Sequence, residues 1–140
     1  MNASDNVSRT RYRVIYGDLD PMGVVYYGNY LRLFERGRAE FVRERGLTYK
    51  EIEEKGFALP VTEAFCHYFQ SARYDDLLLI ETSVGRIRRA SLRFDYKIYQ
   101  KEGDTQPLVT GHTLHACINP EGHIVRIPEF VLSVLAEPSN

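Results

Sequence analysis

Apolar and polar residues alternate along most of the second half of the chain, and this period of two predicts β-strands. In Ala90–Gln100 every second residue is apolar, and these residues are Leu92, Phe94, Tyr96 and Ile98. A strand of this kind has one buried face and one solvated face. Comparable runs, bounded by turn-rich pieces, predict three further strands: Phe57–Gln70, Leu77–Ile87 and Pro107–Asn119.

The first half of the chain combines one alternating segment with a longer helical stripe. Val7–Tyr16 alternates and predicts an opening strand. Apolar residues then recur at spacings of three and four from Leu33 to Val42, which predicts an amphipathic helix. Asn29 is the expected N-cap of this helix, and Gly46 is expected to end it.

Shorter elements complete the predicted topology. Thr48–Lys55 is predicted to form a short helix, because its first residues have capping-box spacing. A short strand is expected at Ile124–Ile127, followed by a helix with Pro128 at its first position and Leu135 at its end. One strand, one long helix and at least four consecutive strands predict an α+β domain in which an antiparallel sheet packs one face on a central helix.

Composition narrows the class of protein. The chain has 140 residues, 44% hydrophobic and 26% charged, and we expect residues 1–140 to form one domain. A net charge of −1 argues against a nucleic-acid partner. No apolar run approaches the ~18 residues of a membrane span, so we expect a cytoplasmic protein without a membrane partner. The two cysteines, Cys66 and Cys117, predict reduced, buried thiols.

The candidate chemistry lies in the turn that precedes the long helix. Asp20 is followed by Pro21, which fixes one backbone angle, and by Gly23, which permits unusual ones. A tight turn can therefore aim the Asp20 carboxylate at a carbonyl group held by the unpaired N–H groups of the helix start. Asp20 is a candidate base or nucleophile on this reasoning. The alternative is an ordinary Asp-Pro turn residue.

Three motifs carry a resemblance to a known family. The pattern DxDPxGxVxYxNY begins at Asp18, a YDD turn begins at Tyr74, and an RRxS segment begins at Arg88. In order and spacing they resemble the 4-hydroxybenzoyl-CoA thioesterases of the hotdog-fold superfamily, including the Tol-Pal-associated acyl-CoA thioesterases, from about Tyr12 to about Tyr99. The resemblance implies a hotdog fold, with an antiparallel sheet wrapped around one long helix. It also implies a homodimer or homotetramer with active sites at the dimer interface.

The resemblance also implies the roles of individual residues. Asp20 would be the catalytic carboxylate, attacking an acyl-CoA thioester or activating water, and Asp18 would be a structural acid of the turn. The backbone N–H around Tyr27 would polarise the thioester carbonyl, with Gly28 beside it at the substrate. Tyr27 matches the hydroxybenzoyl branch, whereas the Tol-Pal branch has a histidine there. Coenzyme A enters as part of the substrate, and no other cofactor or metal is expected.

An arginine-rich segment is the candidate site for coenzyme A phosphates. Arg86, Arg88 and Arg89 lie close together in the sequence, and guanidinium groups suit phosphate oxygens. Arg88 and Arg89 match the arginine pair of the hydroxybenzoyl branch, but the lysine that follows there is Ala90 here. The alternative is a solvated strand edge.

Other reactive side chains give weaker predictions. Cys66 and His67 are adjacent in a strand, so their side chains point to opposite faces and cannot form a catalytic dyad. Glu35 and Glu40 lie on the long helix, where some other hotdog thioesterases resemble this chain in having a glutamate. They are expected to pair with Arg32, Arg36 or Arg38. Two other functions remain open: a hotdog hydratase or dehydratase, and a non-catalytic acyl-CoA binding module.

Overall fold

The structure, a computed structural model, describes residues 6–136. Its five strands form one antiparallel sheet in the order β1-β3-β4-β5-β2. A long helix, α1, packs on one face of the sheet, which confirms the predicted α+β class. The elements in chain order are β1 (Val7–Arg13), α1 (Asn29–Glu44), α2 (Tyr49–Glu54), β2 (Val61–Tyr68), β3 (Leu77–Ile87), β4 (Ser91–Tyr99), β5 (Val109–Ala116) and α3 (Glu129–Leu135).

The core lies between α1 and the centre of the sheet. All four apolar residues of the β4 alternation are at most 2% exposed, which confirms the face predicted for them. The Phe34 ring of α1 stacks on Tyr96 of β4 with ring centroids 4.2 Å apart. The period-two pattern of β4 and the helical stripe of α1 therefore meet in one layer of packed side chains. No helix among the described residues is long and apolar enough to cross a membrane.

The helix starts differ in part from the prediction. The N-cap of α1 is Gly28, and the assignment of Asn29 as N-cap was wrong, because the Asn29 side-chain amide donates to the Asp18 carbonyl at 2.9 Å. The capping box of α2 at Thr48 is confirmed. Pro128 is the N-cap of α3 rather than its first helical residue, since its ψ of 156° is extended.

Several strands are shorter than their apolar patterns. β1 ends at Arg13, before the predicted end at Tyr16, and Tyr16 instead begins a single turn of 3₁₀ helix at Tyr16–Asp18. β2 begins after Pro60, which has no N–H for a strand ladder. The strand predicted at Ile124–Ile127 was wrong, because Ile124 forms only an isolated bridge with Ile118.

β2 is an edge strand with little cover on either face. Within residues 6–136 it pairs only with β5, and its apolar residues Val61, Phe65 and Tyr68 are 44%, 49% and 42% exposed. Long apolar edge strands offer unpaired backbone groups and are templates for pairing with another chain. Within the described residues, this edge of the sheet therefore has no neighbouring strand.

A buried chain of hydrogen bonds crosses the core beside α1. The His115 Nδ1–H donates to the Leu59 carbonyl at 2.8 Å, which leaves Nε2 to accept from the Thr113 hydroxyl at 2.8 Å. The Tyr96 hydroxyl lies 2.6 Å from Thr113 Oγ1 and accepts from Arg38 at 3.4 Å. Every polar group in this hydrogen-bond network has a partner while His115 is neutral. Burial lowers the pKa of His115 to about 4.

We expect the buried imidazole to make the fold acid-sensitive. Above pH ~6.5 His115 is neutral in both the folded and the unfolded chain, so it adds no pH dependence. As pH falls through 6.5, His115 binds a proton in the unfolded chain, whereas in the folded chain it stays neutral until the pH approaches about 4. Between pH 7.5 and pH 4.5 the group should therefore remove about 2.5 kcal/mol of unfolding free energy.

Urea unfolding at both pH values, at one fixed protein concentration, measures this loss. The control is His115→Gln, whose amide can donate to Leu59 and accept from Thr113 but does not titrate. Equal losses of stability in the wild type and in His115→Gln would show that other groups cause the acid sensitivity.

Candidate active site

The Asp20 turn is closed by its own backbone. The Asp20 N–H donates to the Val24 carbonyl at 2.9 Å, and the Gly23 N–H donates to the Asp20 carbonyl at 3.0 Å. Gly23 has φ of 82°, a conformation that favours glycine. The Met22 N–H holds Oδ1 of Asp20 at 2.8 Å. No hydrogen bond to Oδ2 of Asp20 is present in residues 6–136, so this half-buried carboxylate keeps one oxygen available for a reacting group.

The neighbouring Asp18 has a different environment. Its side chain is buried, and Oδ2 accepts from the Tyr12 hydroxyl at 2.8 Å and from the Ile15 N–H at 2.9 Å. The Arg32 guanidinium of α1 lies 3.6 Å from Oδ1. Burial, reinforced by the bond to Asp18, raises the pKa of the Tyr12 hydroxyl and keeps it a donor. These contacts are those of a structural carboxylate that anchors the turn to α1.

Two free backbone donors lie at the start of α1. The Asp18 carbonyl accepts from the Tyr26 N–H at 2.9 Å and from the Asn29 side chain at 2.9 Å. These two hydrogen bonds hold the backbone before and after Tyr27 and Gly28. The N–H groups of Tyr27 and Gly28 themselves have no acceptor within the described part of the chain. Adjacent unpaired N–H groups at the positive end of a helix dipole can bind an oxygen that acquires negative charge.

The Asp20 turn and the start of α1 form one continuous surface segment, residues 18–29, which is called the wall below. Leu19 forms a bridge with Val25 across the turn, and the Val25 N–H donates at 2.9 Å to the carbonyl of Ala72, in the loop between β2 and β3. A Cβ atom at Gly28 would lie 2.7 Å from the Tyr26 ring, so glycine lets this exposed ring lie close against the helix start. The wall thus carries the Asp20 carboxylate oxygen and the N–H donors of Tyr27 and Gly28 on a short segment held by backbone hydrogen bonds.

Tyrosine rings surround the helix start. Tyr27 lies edge-on to Tyr68 of β2 with ring centroids 6.2 Å apart, and Tyr30 does so at 5.6 Å. The Tyr68 hydroxyl donates to the Tyr27 carbonyl at 3.0 Å. The sequence analysis missed Tyr68, which differs in no visible way from the other alternating residues of its strand.

The arginine segment lies in the turn from β3 to β4. The Arg88 N–H donates to the Ser91 carbonyl at 2.8 Å, and both Arg88 and Arg89 are exposed. Arg88 lines a cavity of about 370 Å³ that Arg89 does not line. The full lining is Glu63, Arg86, Arg88, Ser91, Arg93, His112 and Leu114. Of the two predicted phosphate ligands, Arg88 therefore lines this cavity and Arg89 does not.

The arginine turn and the Asp20 turn lie at opposite ends of the sheet in one chain. The Asp20 turn contacts the segment before β3, and the arginine turn follows the end of β3. This strand has 11 residues and spans about 33 Å at roughly 3.3 Å per residue. The structure of one chain therefore does not bring Asp20 and Arg88 together.

The remaining candidates lie apart from this wall. Cys66 pairs with Gly111 and His67 with Thr110, so their side chains occupy opposite faces of the sheet, as predicted. Cys66 is half-buried rather than buried, and burial raises the pKa of its thiol. Glu40 pairs with Arg43 on α1. Among residues 6–136, no three His, Cys, Asp or Glu side chains lie close enough together to hold a metal ion.

Comparisons with known proteins identify the family. A sequence model of the Thioesterase-like superfamily matches residues 14–135. The acyl-CoA thioesterase YbgC of Haemophilus influenzae is 37% identical over 95 residues, which are 67% of this chain and 70% of that protein. The crystal structure of a 1,4-dihydroxy-2-naphthoyl-CoA thioesterase from Synechocystis has a TM-score of 0.85 at 26% identity, covering 92% of this chain and 95% of that one.

A third comparison concerns the fold alone. The crystal structure of a 4-hydroxybenzoyl-CoA thioesterase mutant has a TM-score of 0.82 at 22% identity, and the match covers 94% of this chain and 99% of that one. The resemblance drawn from the sequence motifs is thereby confirmed. The chain belongs to the Thioesterase-like superfamily and has the hotdog fold of its acyl-CoA thioesterases.

Proposed function

We propose that this chain hydrolyses an acyl-CoA thioester to a carboxylic acid and free coenzyme A, with Asp20 as the catalytic carboxylate. The observation that supports this function is that one short segment carries both kinds of group. Oδ2 of Asp20 accepts no hydrogen bond within the described residues, and the N–H groups of Tyr27 and Gly28 donate none. The names of the relatives, which include acyl-CoA and aroyl-CoA thioesterases, support the same reaction class.

Two sets of groups take part in the reaction: the backbone N–H groups at the helix start and the Asp20 carboxylate. The thioester oxygen accepts hydrogen bonds from the N–H groups of Tyr27 and Gly28, which stabilise the oxyanion that forms on attack. In the general-base route, Asp20 takes a proton from the attacking water. In the nucleophilic route, Asp20 bonds to the acyl carbon, and water then cleaves the resulting anhydride. In both routes the C–S bond breaks, the sulfur leaves as a thiolate, and it gains a proton.

We propose that the complete site needs two chains. Antiparallel pairing of β2 with β2 of a second copy would reverse the second sheet relative to the first. The end of the partner carrying the arginine turn would then lie beside the end carrying Asp20. The exposed apolar edge of β2 supports this pairing. A homodimer, or a homotetramer built from such dimers, would bind the coenzyme A of one active site with Arg88 of the partner.

Hydrolysis of a panel of acyl-CoA substrates tests the function. The panel should include aromatic, short and long acyl groups, with release of the coenzyme A thiol as the measurement. We expect turnover with at least one class and no need for an added cofactor or metal. Binding of acyl-CoA without hydrolysis of any substrate would favour a non-catalytic binding module instead.

The same panel tests the arginine turn. Replacing Arg88 and Arg89 together with Ala should raise KM by about tenfold, because two charged contacts to phosphate are lost. Turnover should change less, since these contacts are made equally in the ground state and the transition state. The single variants should divide the effect unequally, with Arg88→Ala the larger, because only Arg88 lines the cavity. An unchanged KM would show that the coenzyme is held elsewhere.

A further inference from the structure

We propose that Tyr68 is a positioning residue that orients and polarises the oxyanion-binding peptide group between Tyr27 and Gly28. The inference rests on the proposed function, because that function makes the Gly28 N–H a donor to the thioester oxygen. It adds a role for a side chain of β2, a strand 33 residues further along the chain than Gly28.

The geometry places the Tyr68 hydroxyl at the opposite end of the same peptide group. It donates to the Tyr27 carbonyl at 3.0 Å, and the amide nitrogen of that group is the N–H of Gly28. A hydrogen bond accepted by a carbonyl draws charge through the amide and makes its N–H a stronger donor. The same bond fixes the plane of the amide, so that the N–H points away from Tyr68. The Tyr30 N–H is a second, longer donor to this carbonyl, at 3.4 Å.

The Tyr68 ring is held in place by neighbouring rings. It lies edge-on to Tyr27 and Tyr30, and the hydroxyl of Tyr30 is itself fixed by the Ala72 N–H at 3.1 Å. Burial raises the pKa of Tyr68, so its hydroxyl keeps its proton and remains a donor at neutral pH. An aromatic donor held in this way keeps the peptide oriented before the substrate arrives, which is what electrostatic preorganisation requires.

The test is Tyr68→Phe, which removes the hydroxyl and keeps the ring contacts. Loss of an oxyanion donor lowers turnover by about 10²–10³. In Tyr68→Phe the Gly28 N–H remains, and only the hydrogen bond to the Tyr27 carbonyl that orients it is lost, so we expect kcat to fall about tenfold. KM should change little. The matched control is Tyr74→Phe, since Tyr74 is 45% exposed against 42% for Tyr68 and stacks on a second tyrosine, Tyr16. Sedimentation should show the same assembly in all three proteins.

A spectroscopic measurement separates polarisation from general structure. In the Asp20→Asn background, the infrared band of a ¹³C-labelled thioester carbonyl should move to lower frequency on binding. Adding Tyr68→Phe should reduce this shift, and adding Tyr74→Phe should not. An unchanged shift together with wild-type kcat in Tyr68→Phe would overturn the inference.

The two proposals fail in different ways. If the wild type hydrolyses no acyl-CoA, the proposed function is wrong, although the carbonyl shift of a bound thioester still tests the peptide group. If the wild type is active and Tyr68→Phe matches Tyr74→Phe in both measurements, only the role of Tyr68 is wrong.

Discussion

Replacing Asp20 with Asn should lower the turnover of acyl-CoA by ~10² or more, because the substitution removes the charge needed to attack or to activate water. The turn itself should survive, since the Asn side-chain oxygen can still accept from the Met22 N–H. KM should therefore change little. Steady-state kinetics on the best substrate of the panel, with melting temperatures alongside, measure both quantities.

The neighbouring acids provide the comparison for Asp20. Asp18→Asn should mainly lower stability, because the buried Asp18 carboxylate accepts from Tyr12 and Ile15 and lies near Arg32. Near wild-type turnover in Asp20→Asn, with turnover abolished by Asp18→Asn or by Glu35→Gln, would assign the catalytic role to another acid.

Local patterns predicted the fold wherever one face of an element is buried by its own chain. The alternation of β4 predicted its buried face, because successive strand residues point to opposite sides. The stripe of α1 and the capping spacing at Thr48 predicted both helices on the same local grounds. Asn29 misled the prediction, since its side chain bonds to the Asp18 carbonyl, a partner 11 residues away.

The candidate site is less visible in the sequence, because its contacts join distant segments. The Asp20 turn was found from its own residues, since the Pro and Gly that shape it lie beside the acid. The bond from Tyr68 to the Tyr27 carbonyl joins residues 41 positions apart, and no periodicity reports it. The separation of Asp20 from Arg88 likewise follows from the length of β3 and the position of each turn.

The variant Phe65→Lys, at the edge of β2, should lose assembly and activity together. Phe65 is a half-exposed apolar residue in the middle of this edge. Burying an unpaired ammonium group in an interface costs several kcal/mol, so the dimer dissociation constant should rise by about 100-fold or more. In the proposed two-chain site, a single chain would lack the partner's arginine turn, so turnover per chain should fall by a similar factor at low concentration.

Sedimentation and kinetics at matched concentrations test this expectation. The control is Ile124→Lys, which places the same charge on an exposed apolar residue outside β2 and should leave assembly and turnover unchanged. Activity of Phe65→Lys should recover as its concentration increases, since mass action restores the dimer. That recovery would distinguish lost assembly from damage to the fold, which concentration does not repair. A sedimenting monomer with full turnover would show that one chain holds the whole active site.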